Sequence, residues 1–492
     1  MTLWVALLRF PLLFVDPLGW DEGFYLVVAT RLMEGGHLYV DVWDYKPIGV
    51  YLIYAAFLLL FGKSVTAITI GSALAVLATT LLLEAIGRRV FGRPRAGLYA
   101  AIVFPVSMLV LQANSANAEN FFIICGAISM LLLGCHLARP ADMAAHGRTA
   151  FLFGLVQGVA LQIKLLTVFE TAFLGLVFAG VVWTERRRLL DLAALCGSFL
   201  AGYLLPTLVS FGYFWSIGAF DEMVLAMFVS PKGYGSRNFG LHDPLGSLWQ
   251  IYLTARPYGP LLVVACVALA AGMAAGLRSP GRRLVPYWLA LAWLLGAFAS
   301  ATFTGYFFGH YFIVFAPPLS LLAALGIDRL AGDGMARVAR VGVAALVMAA
   351  PLYFYQADLR RRLADPLYDP APAIAAEVRR LVPPGTPIFA LNIDPEVYFL
   401  SDTVPATRFA FSWQISRESL VPLGIDAPAE IRRLFERKPA LVVASHAYMR
   451  GQPAGLARIY RNFIEGAYEP VEISNARLRS HVSIFRRRPD RR

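Results

Sequence analysis

Four charged side chains near the N-terminus have the types and spacing of a site for chemistry: Asp21, Glu22, Asp44 and Lys46. They lie in the stretch GWDEGFYLVVATRLMEGGHLYVDVWDYKP, residues 19–47, directly after an apolar N-terminus. A positioned carboxylate can act as a general base toward a hydroxyl, and a lysine supplies a point charge for a phosphate. The stretch therefore contains the groups needed where a hydroxyl and a phosphate ester meet.

The same residues also have a structural interpretation. Asp21 and Glu22 are placed to interact with the dipole at the N-terminus of an amphipathic helix, EGFYLVVATRLMEGG, that a Gly-Gly pair ends. Lys46 precedes Pro47, a residue suited to a first helical turn, and could be an interfacial anchor whose ammonium reaches toward lipid headgroups. The residues alone leave both interpretations open.

The composition identifies the element type that must position these groups. Hydrophobic residues make up 58% of the 492 residues and charged residues only 15%, with a mean hydropathy of +0.60. So much apolar surface predicts a polytopic α-helical membrane protein. Representative apolar segments are GLYAAIVFPVSMLVLQA (97–113), FFIICGAISMLLLGCHLA (121–138) and LDLAALCGSFLAGYLLPTLVSFGYF (190–214). All four cysteines fall in predicted spans, which provides no disulfide framework.

The net charge of +12 indicates membrane topology rather than nucleic-acid binding, because the basic residues cluster between spans. Five clusters are expected on the cytoplasmic side, at residues 87–95, 137–148, 185–188, 277–283 and 328–340. The intervening loops then face outward, including the first loop, residues 16–64, which carries the acidic stretch.

This assignment requires that IGVYLIYAAFLLLFG, residues 48–62, does not cross the membrane, and its 15 residues are short for a span. The count is then about eleven transmembrane helices. The first, MTLWVALLRFPLLFV, is also short and contains Arg9 and Pro11. A start site placed too late would explain this, and a cleaved signal peptide is the alternative, although no small-x-small site precedes Asp16.

A change in composition after residue 357 predicts a second domain. Residues 1–357 form the transmembrane module, and in residues 358–492 short apolar runs alternate with amphipathic helical patterns. The runs PIFALN, ALVVAS and SHVSIF predict strands of an α/β domain. By parity of the spans this C-terminal domain lies outside the cytoplasm, and at about 130 residues it is large enough for its own core.

The first-loop pattern resembles a known family. GWDEG, then EGG, then LYVDVWDYKP, followed by FGKS and a span that ends in RRVFG, is similar to the GT-C class of membrane glycosyltransferases. Within that class the chain resembles the RgtA/B/C/D-like group, which is related to the aminoarabinose and protein O-mannosyl transferases. The resemblance extends through YFFGHYFIVFAPPLSLLAALGIDRL, residues 306–330, to the C-terminal domain.

The resemblance implies a multi-pass enzyme of the cytoplasmic (inner) membrane whose active site faces the periplasm or cell exterior. It would transfer a sugar, by an inverting-type reaction, from a polyprenyl-phosphate donor to a hydroxyl of a lipid, glycan or protein, such as lipopolysaccharide or cell-wall glycan. Asp21 would serve the acceptor hydroxyl with Glu22 in support. Lys46 would bind the donor phosphate, and Asp44 would hold Lys46 or a metal.

Three residues outside the first loop are further candidates. Glu119 follows the outward loop ANSANAEN, where related enzymes present a second acid, and a helix-start carboxylate is the alternative. Arg256 is a candidate second phosphate contact, taken from a loop that also offers Lys232, Arg237 and His242, and an interfacial anchor beside Tyr258 is the alternative. His310 could bind sugar or a metal, or could be a structural histidine among aromatic side chains.

A divalent metal ion is an open cofactor prediction. Asp21, Glu22 and His310 offer oxygen and nitrogen donors, whereas no HExxH pattern or close histidine pair selects a metal. No GxGxxG loop is present, which agrees with a lipid-linked donor rather than a nucleotide sugar. The alternative function is a transporter or flippase of lipid-linked sugars, which would favour an internal repeat that the chain does not show.

The arginine distribution generates a topology prediction. Single cysteines introduced at Arg187 and Arg337 should react with a membrane-impermeant reagent only from the cytoplasm, and cysteines at Gly36 and Ala429 only from outside. The measurement is labelling of intact cells against inverted membrane vesicles. Labelling of Gly36 and Arg187 from the same side would overturn the orientation and the outward position of the first loop.

Overall fold

A computed structural model of the chain describes residues 1–15, 18–230, 243–278, 282–330, 334–365, 367–416, 424–446 and 454–489. The contacts divide these residues into two compact units. The first unit comprises residues 1–17, 63–213 and 237–359, and the second comprises residues 18–62, 214–236 and 360–492. The acidic first loop therefore groups with the C-terminal region.

The first unit is helical. Its α-helices are Thr2–Arg9, Val65–Arg89, Pro94–Ser107, Ala118–Leu137, Met143–Ile163, Val168–Arg186, Leu189–Ser216, Pro244–Ala255, Gly259–Leu277, Val285–Thr302, Ala316–Arg329 and Met335–Ala364. The last residues of the two helices that end at Ser216 and Ala364 belong to the second unit. Its 3-10 turns are Phe10–Leu13, Leu165–Thr167, Arg256–Tyr258, Arg282–Leu284 and Gly309–Phe315. Eight helical segments of the described residues are long and apolar enough to cross a membrane, so the polytopic helical class is confirmed, and the count of about eleven stays a prediction.

Small residues allow the helices of this unit to approach closely. A Cβ atom added at Gly154 would lie 2.2 Å from the carbonyl oxygen of Phe199, and one added at Gly202 would lie 2.1 Å from that of Phe151. The helices Met143–Ile163 and Leu189–Ser216 therefore meet backbone to backbone. Such small-residue contacts are typical of membrane helices, whose association gains little from the hydrophobic effect.

A buried arginine organises the segment after the helix Pro94–Ser107. Arg9 is 4% exposed and donates hydrogen bonds to the carbonyl oxygens of Met108, Ala113 and Asn114, at 2.9, 2.9 and 3.1 Å. A buried charge needs such partners. The helix ends at Ser107, before the end of the predicted span 97–113, and carbonyl groups of the segment that follows bind Arg9.

The second unit combines helices with one small sheet. Its helices are Trp20–Met33, Gly49–Phe61, Phe220–Val224, the π-helical turn Leu225–Val229, Ala371–Leu381, Glu396–Ser401, Trp413–Ser416, Ala427–Glu436, Ala454–Ala467 and the 3-10 turn Leu478–Ser480. Its strands are β1 (Pro387–Leu391), β2 (Val404–Pro405), β3 (Leu441–Ser445), β4 (Tyr468–Val471) and β5 (Val482–Arg487).

The sheet has the order β2-β1-β3-β5-β4. Strand β1 pairs in parallel with β2 and β3, with Ile388 opposite Leu441, whereas β5 pairs antiparallel with β3 and β4. All three predicted strand runs are strands, and the amphipathic patterns form helices beside them, so the α/β class of this region is confirmed. Strands β2 and β4 were not predicted because they are short and lack an apolar run.

The first loop packs on residues of the C-terminal region. The Trp43 N–H donates to the Arg408 carbonyl at 2.8 Å, and the Trp20 and Phe24 rings lie 5.4 and 5.8 Å from the Phe411 ring. These contacts join segments almost 400 residues apart in sequence. The predicted division after residue 357 stays a prediction, and residues 18–62 form one compact unit with the C-terminal residues.

The closest approach in this packing is at Gly23, on the helix Trp20–Met33. A Cβ atom there would lie 2.5 Å from Asp394 Oδ1 and 2.8 Å from the backbone nitrogen of Glu396. Because one of these atoms belongs to the backbone, a side chain at position 23 can be accommodated only if the helices Trp20–Met33 and Glu396–Ser401 separate.

Gly23→Ala should therefore destabilise the protein by about 1–3 kcal/mol, the usual cost of overpacking. Gly180→Ala is the matched control, since it also lies inside a helix and an added Cβ would meet nothing within 4 Å. The melting temperatures of the purified proteins should show a decrease for Gly23→Ala alone. Equal melting temperatures for both variants would contradict the close packing.

Candidate active site

The first loop brings together three of the four charged residues singled out from the sequence. The Lys46 ammonium lies 3.2 Å from Asp21 Oδ1 and 3.5 Å from Asp44 Oδ2. Asp21 comes from the first turn of the helix Trp20–Met33, and Asp44 and Lys46 come from the loop that precedes the helix Gly49–Phe61. One lysine thus joins two carboxylates from different elements.

The two carboxylates have different environments. The Asp21 side chain is 25% exposed, whereas that of Asp44 is 1% exposed. Asp44 accepts hydrogen bonds from the Tyr51 hydroxyl, from the Tyr45 N–H at 2.8 Å and from the Gln414 side chain at 3.4 Å. Asp21 is therefore the carboxylate open to an incoming molecule, and Asp44 is the fixed one.

Burial raises the pKa of the Asp44 carboxyl above its ordinary value, and the neighbouring Lys46 ammonium opposes that rise. The hydrogen bonds from Tyr51 and Tyr45 act in the same direction as Lys46. The lysine is thus the main ionic support of a carboxylate that burial disfavours.

Aromatic rings and a backbone contact fix the position of Lys46. Its ammonium lies 4.9 Å from the Tyr45 ring centroid and 5.2 Å from that of Tyr25, distances at which a cation is attracted to a ring face. The Tyr39 hydroxyl donates to the Lys46 carbonyl oxygen at 2.8 Å. The Lys46 side chain is 11% exposed, so its ammonium is fixed in position and still reaches a partly open surface.

Glu22 shares the first helical turn with Asp21 and is buried, with 3% exposure. Both carboxylates act electrostatically on the buried Tyr54 hydroxyl, and Glu396 does so as well. Glu396 follows β1 through Asp394, whose Oδ1 accepts its N–H at 3.0 Å. The sequence prediction missed these two C-terminal acids, although DPE directly after an apolar strand run was an available signal.

Glu119 and His310 both lie in the first unit. Glu119 is 1% exposed and forms an ion pair with Lys164, whose ammonium also lies 4.4 Å from the Tyr311 ring centroid. His310 contacts Gln112 Oε1 through Nδ1 at 3.0 Å and stacks edge-on against Tyr311 at 4.6 Å. Tyr311 thus contacts His310 and Lys164, the ion-pair partner of Glu119.

Arg256 also lies in the first unit, in the turn Arg256–Tyr258, with its guanidinium 5.2 Å from the Phe354 ring centroid. This contact fits the interfacial interpretation and leaves its proposed phosphate role a prediction. The other cations of that predicted loop, Lys232, Arg237 and His242, lie outside the described residues.

Among the residues that the structure describes, no group of three or more histidine, cysteine or acidic side chains is arranged to hold a metal ion. Asp21 and Glu22 belong to the second unit and His310 to the first. The divalent ion suggested by these three residues therefore stays a prediction of the sequence.

Comparisons with known proteins find similarity to sugar transferases. Residues 45–211 match the family described as dolichyl-phosphate-mannose-protein mannosyltransferase. An undecaprenyl phosphate-alpha-4-amino-4-deoxy-L-arabinose arabinosyl transferase of Pseudomonas aeruginosa strain UCBPP-PA14 is 26% identical over 397 residues, covering 75% of this chain and 67% of that protein.

Two solved structures share the fold. ArnT from Cupriavidus metallidurans bound to undecaprenyl phosphate superposes with a TM-score of 0.66, at 16% identity, over 98% of this chain and 97% of that one. The apo Archaeoglobus fulgidus oligosaccharyltransferase gives a TM-score of 0.50, at 15% identity, over 93% of this chain and 69% of that one. The chain thus resembles membrane glycosyltransferases in part of its sequence and shares the fold of ArnT.

These similarities support an enzyme rather than the transporter considered from the sequence. Together with the apolar helices they support a multi-pass inner-membrane protein. The matched family segment begins at Tyr45 and includes Lys46, Glu119 and Lys164, whereas Asp21 precedes it. The roles of the individual residues stay predictions.

The Glu119–Lys164 pair generates a test of whether Glu119 is structural. In this buried pair Glu119→Gln leaves the lysine without its ionic partner, so we expect a loss of about 3–5 kcal/mol, and Glu119→Gln combined with Lys164→Met should recover part of it. Melting temperatures of the two single variants and the double variant give the coupling.

The transfer activity of the double variant completes this test. Recovered stability with wild-type transfer would assign the pair a structural role alone. Recovered stability with lost transfer would assign Glu119 or Lys164 a role in the reaction. Additive losses of stability would contradict the pairing itself.

Proposed function

We propose that this enzyme transfers a sugar from a polyprenyl-phosphate donor to a hydroxyl of a lipid, glycan or protein acceptor at the outer face of the cytoplasmic membrane. The observation that carries the proposal is the Lys46 ammonium held between the open Asp21 and the buried Asp44. The undecaprenyl phosphate in the printed names of the arabinosyl transferase and the ArnT structure supports this class of donor.

Lys46 is suited to the leaving group of this reaction. A sugar linked to a polyprenyl monophosphate carries one negative charge, and the phosphate gains a second as the bond to the sugar breaks. A fixed cation stabilises that growing charge more in the transition state than in the ground state. The aromatic rings and buried Asp44 keep the ammonium in place, so little reorganisation accompanies the step.

Asp21 is suited to the acceptor. Its carboxylate can take the proton of a hydroxyl while the hydroxyl oxygen forms a bond to the anomeric carbon of the sugar. The bond from that carbon to the phosphate oxygen breaks, and its electron pair leaves with the polyprenyl phosphate. One direct displacement of this kind inverts the anomeric configuration, and the proton remains on Asp21.

Asp44 is a positioning residue in this scheme. It contacts Lys46 rather than the reacting atoms, and its hydrogen bonds to Tyr51, Tyr45 and Gln414 fix it against two further segments. When a donor phosphate engages Lys46, Asp21 can exchange the ion pair for the acceptor hydroxyl, because Asp44 continues to hold the lysine. Asp21 would thus change partners during the reaction, whereas Asp44 would keep its contact with Lys46.

Two substitutions separate these roles. Asp21→Asn keeps the size of the side chain but removes the base, so donor binding should persist while single-turnover transfer falls about 100-fold or more. Lys46→Ala should weaken donor binding and transfer together, because a phosphate contact acts in both the ground state and the transition state. Donor affinity and transfer are measured on the same preparations.

Glu34→Gln is the control, since Glu34 lies at the end of the same helix, is exposed and pairs only weakly with Arg31. It should leave donor affinity and transfer at wild-type values. Wild-type transfer by Asp21→Asn would overturn the assignment of the base. Unchanged donor affinity and transfer in Lys46→Ala would return the lysine to a structural role.

A further inference from the structure

A cavity of about 400 Å³ opens in the second unit at the carboxyl ends of the parallel strands β1 and β3. Its walls include Asn392 and Asp394, directly after β1, and His446, directly after β3. In open α/β sheets this edge is the general place for ligands, because the loops that follow parallel strands diverge there.

The lining has the chemistry of a binding site for a polyhydroxylated ring. Two large aromatic side chains face the cavity, Trp20 and Tyr368, and each is 40% exposed. Aromatic faces bind the apolar C–H surface of a sugar ring, and carboxylates accept hydrogen bonds from its hydroxyls. Asp369 and Asp394 provide such acceptors, so a few polar groups lie among apolar walls, as in other small-molecule sites.

The charges of the lining favour a neutral ligand over a phosphate. Two carboxylates, those of Asp369 and Asp394, line the cavity with one guanidinium, that of Arg362. The rings of His446 and His481 also line it and are hydrogen-bonded to Ser480, Ser483 and Arg477. The Arg362 guanidinium lies 4.8 Å from the Tyr368 ring centroid, so it is engaged with the ring at the cavity wall. An anionic headgroup would meet more negative than positive charge here, whereas sugar hydroxyls would meet acceptors.

One part of the cavity wall is formed by the residues that directly precede Asp21 in the chain. Gly19 and Trp20 line it, and Asp21 is the next residue of the same helix. Asp394 also lines the cavity, and it lies against the helix Trp20–Met33 at Gly23. A ligand in the cavity is therefore next to the first turn of the helix that carries the proposed base.

We infer that this cavity binds the saccharide portion of the acceptor and holds it beside Asp21. The inference rests on the proposed function, since it names the acceptor subsite of the same reaction. It makes the C-terminal α/β region a substrate-binding element that presents a sugar ring of the acceptor to the base.

Binding is tested on the full-length protein in lipid nanodiscs, by ligand-detected NMR, with the methyl glycosides of glucose, galactose, mannose and N-acetylglucosamine as probes. The wild-type protein should bind at least one of them saturably. Tyr368→Ala should weaken that binding about tenfold, equivalent to about 1.4 kcal/mol. Asp394→Asn should also weaken it, although the amide oxygen can still accept the Glu396 N–H.

Asp426→Asn is the matched control, because Asp426 precedes another helix of the same region, is 60% exposed and lies outside the cavity. It should bind the probe as the wild type does. Melting temperatures of all variants identify any loss of folding, and Asp394→Asn, which changes charge but not size, decides the result if Tyr368→Ala does not fold.

Donor affinity, measured in parallel with polyprenyl phosphate, separates this inference from the proposed function. Cavity variants that lose glycoside binding but retain donor binding support the acceptor subsite. If the wild type binds none of the four glycosides, or if Tyr368→Ala and Asp394→Asn bind as tightly as Asp426→Asn, the subsite is wrong. If the wild type binds a glycoside but no polyprenyl phosphate, the donor assignment fails and the cavity remains a sugar site.

Discussion

The organisation of the first loop depends on how one ammonium group is shared. Lys46 contacts both Asp21 and Asp44, and Asp44 is almost completely buried. A buried carboxylate is costly unless charges and hydrogen bonds surround it, so every segment that supplies a partner to Asp44 is constrained by it. The helix Gly49–Phe61 supplies Tyr51, and the C-terminal region supplies Gln414.

Through this constraint the C-terminal region contributes to the surroundings of Asp44. It contributes the hydrogen bond to Asp44, the ring of Phe411 beneath Trp20 and Phe24, and the Asp394 turn against Gly23. A separation into a catalytic membrane part and a passive cover would leave these contacts unexplained. Variation in the loops after β1 and β3 would therefore be expected to alter acceptor choice more than donor choice.

The sequence predicted what local pattern and composition determine. Long apolar segments identified the helical class, short apolar runs identified three strands, and the spacing of Asp21, Asp44 and Lys46 identified a charged site. It did not predict the partners of Glu119 or of Arg9, nor the acids Asp394 and Glu396. Those contacts join residues far apart in sequence, and their positions follow from packing that no local pattern encodes.

The pairing of residues 18–62 with the C-terminal residues also affects how the protein is made. The acidic loop is translated early, but the Arg408 carbonyl that binds Trp43 and the Gln414 side chain that reaches Asp44 are translated about 370 residues later. At about 5–20 residues per second the loop remains incomplete for tens of seconds while the membrane helices insert. During synthesis Asp44 thus lacks the hydrogen bond from Gln414 until about 370 further residues have been translated.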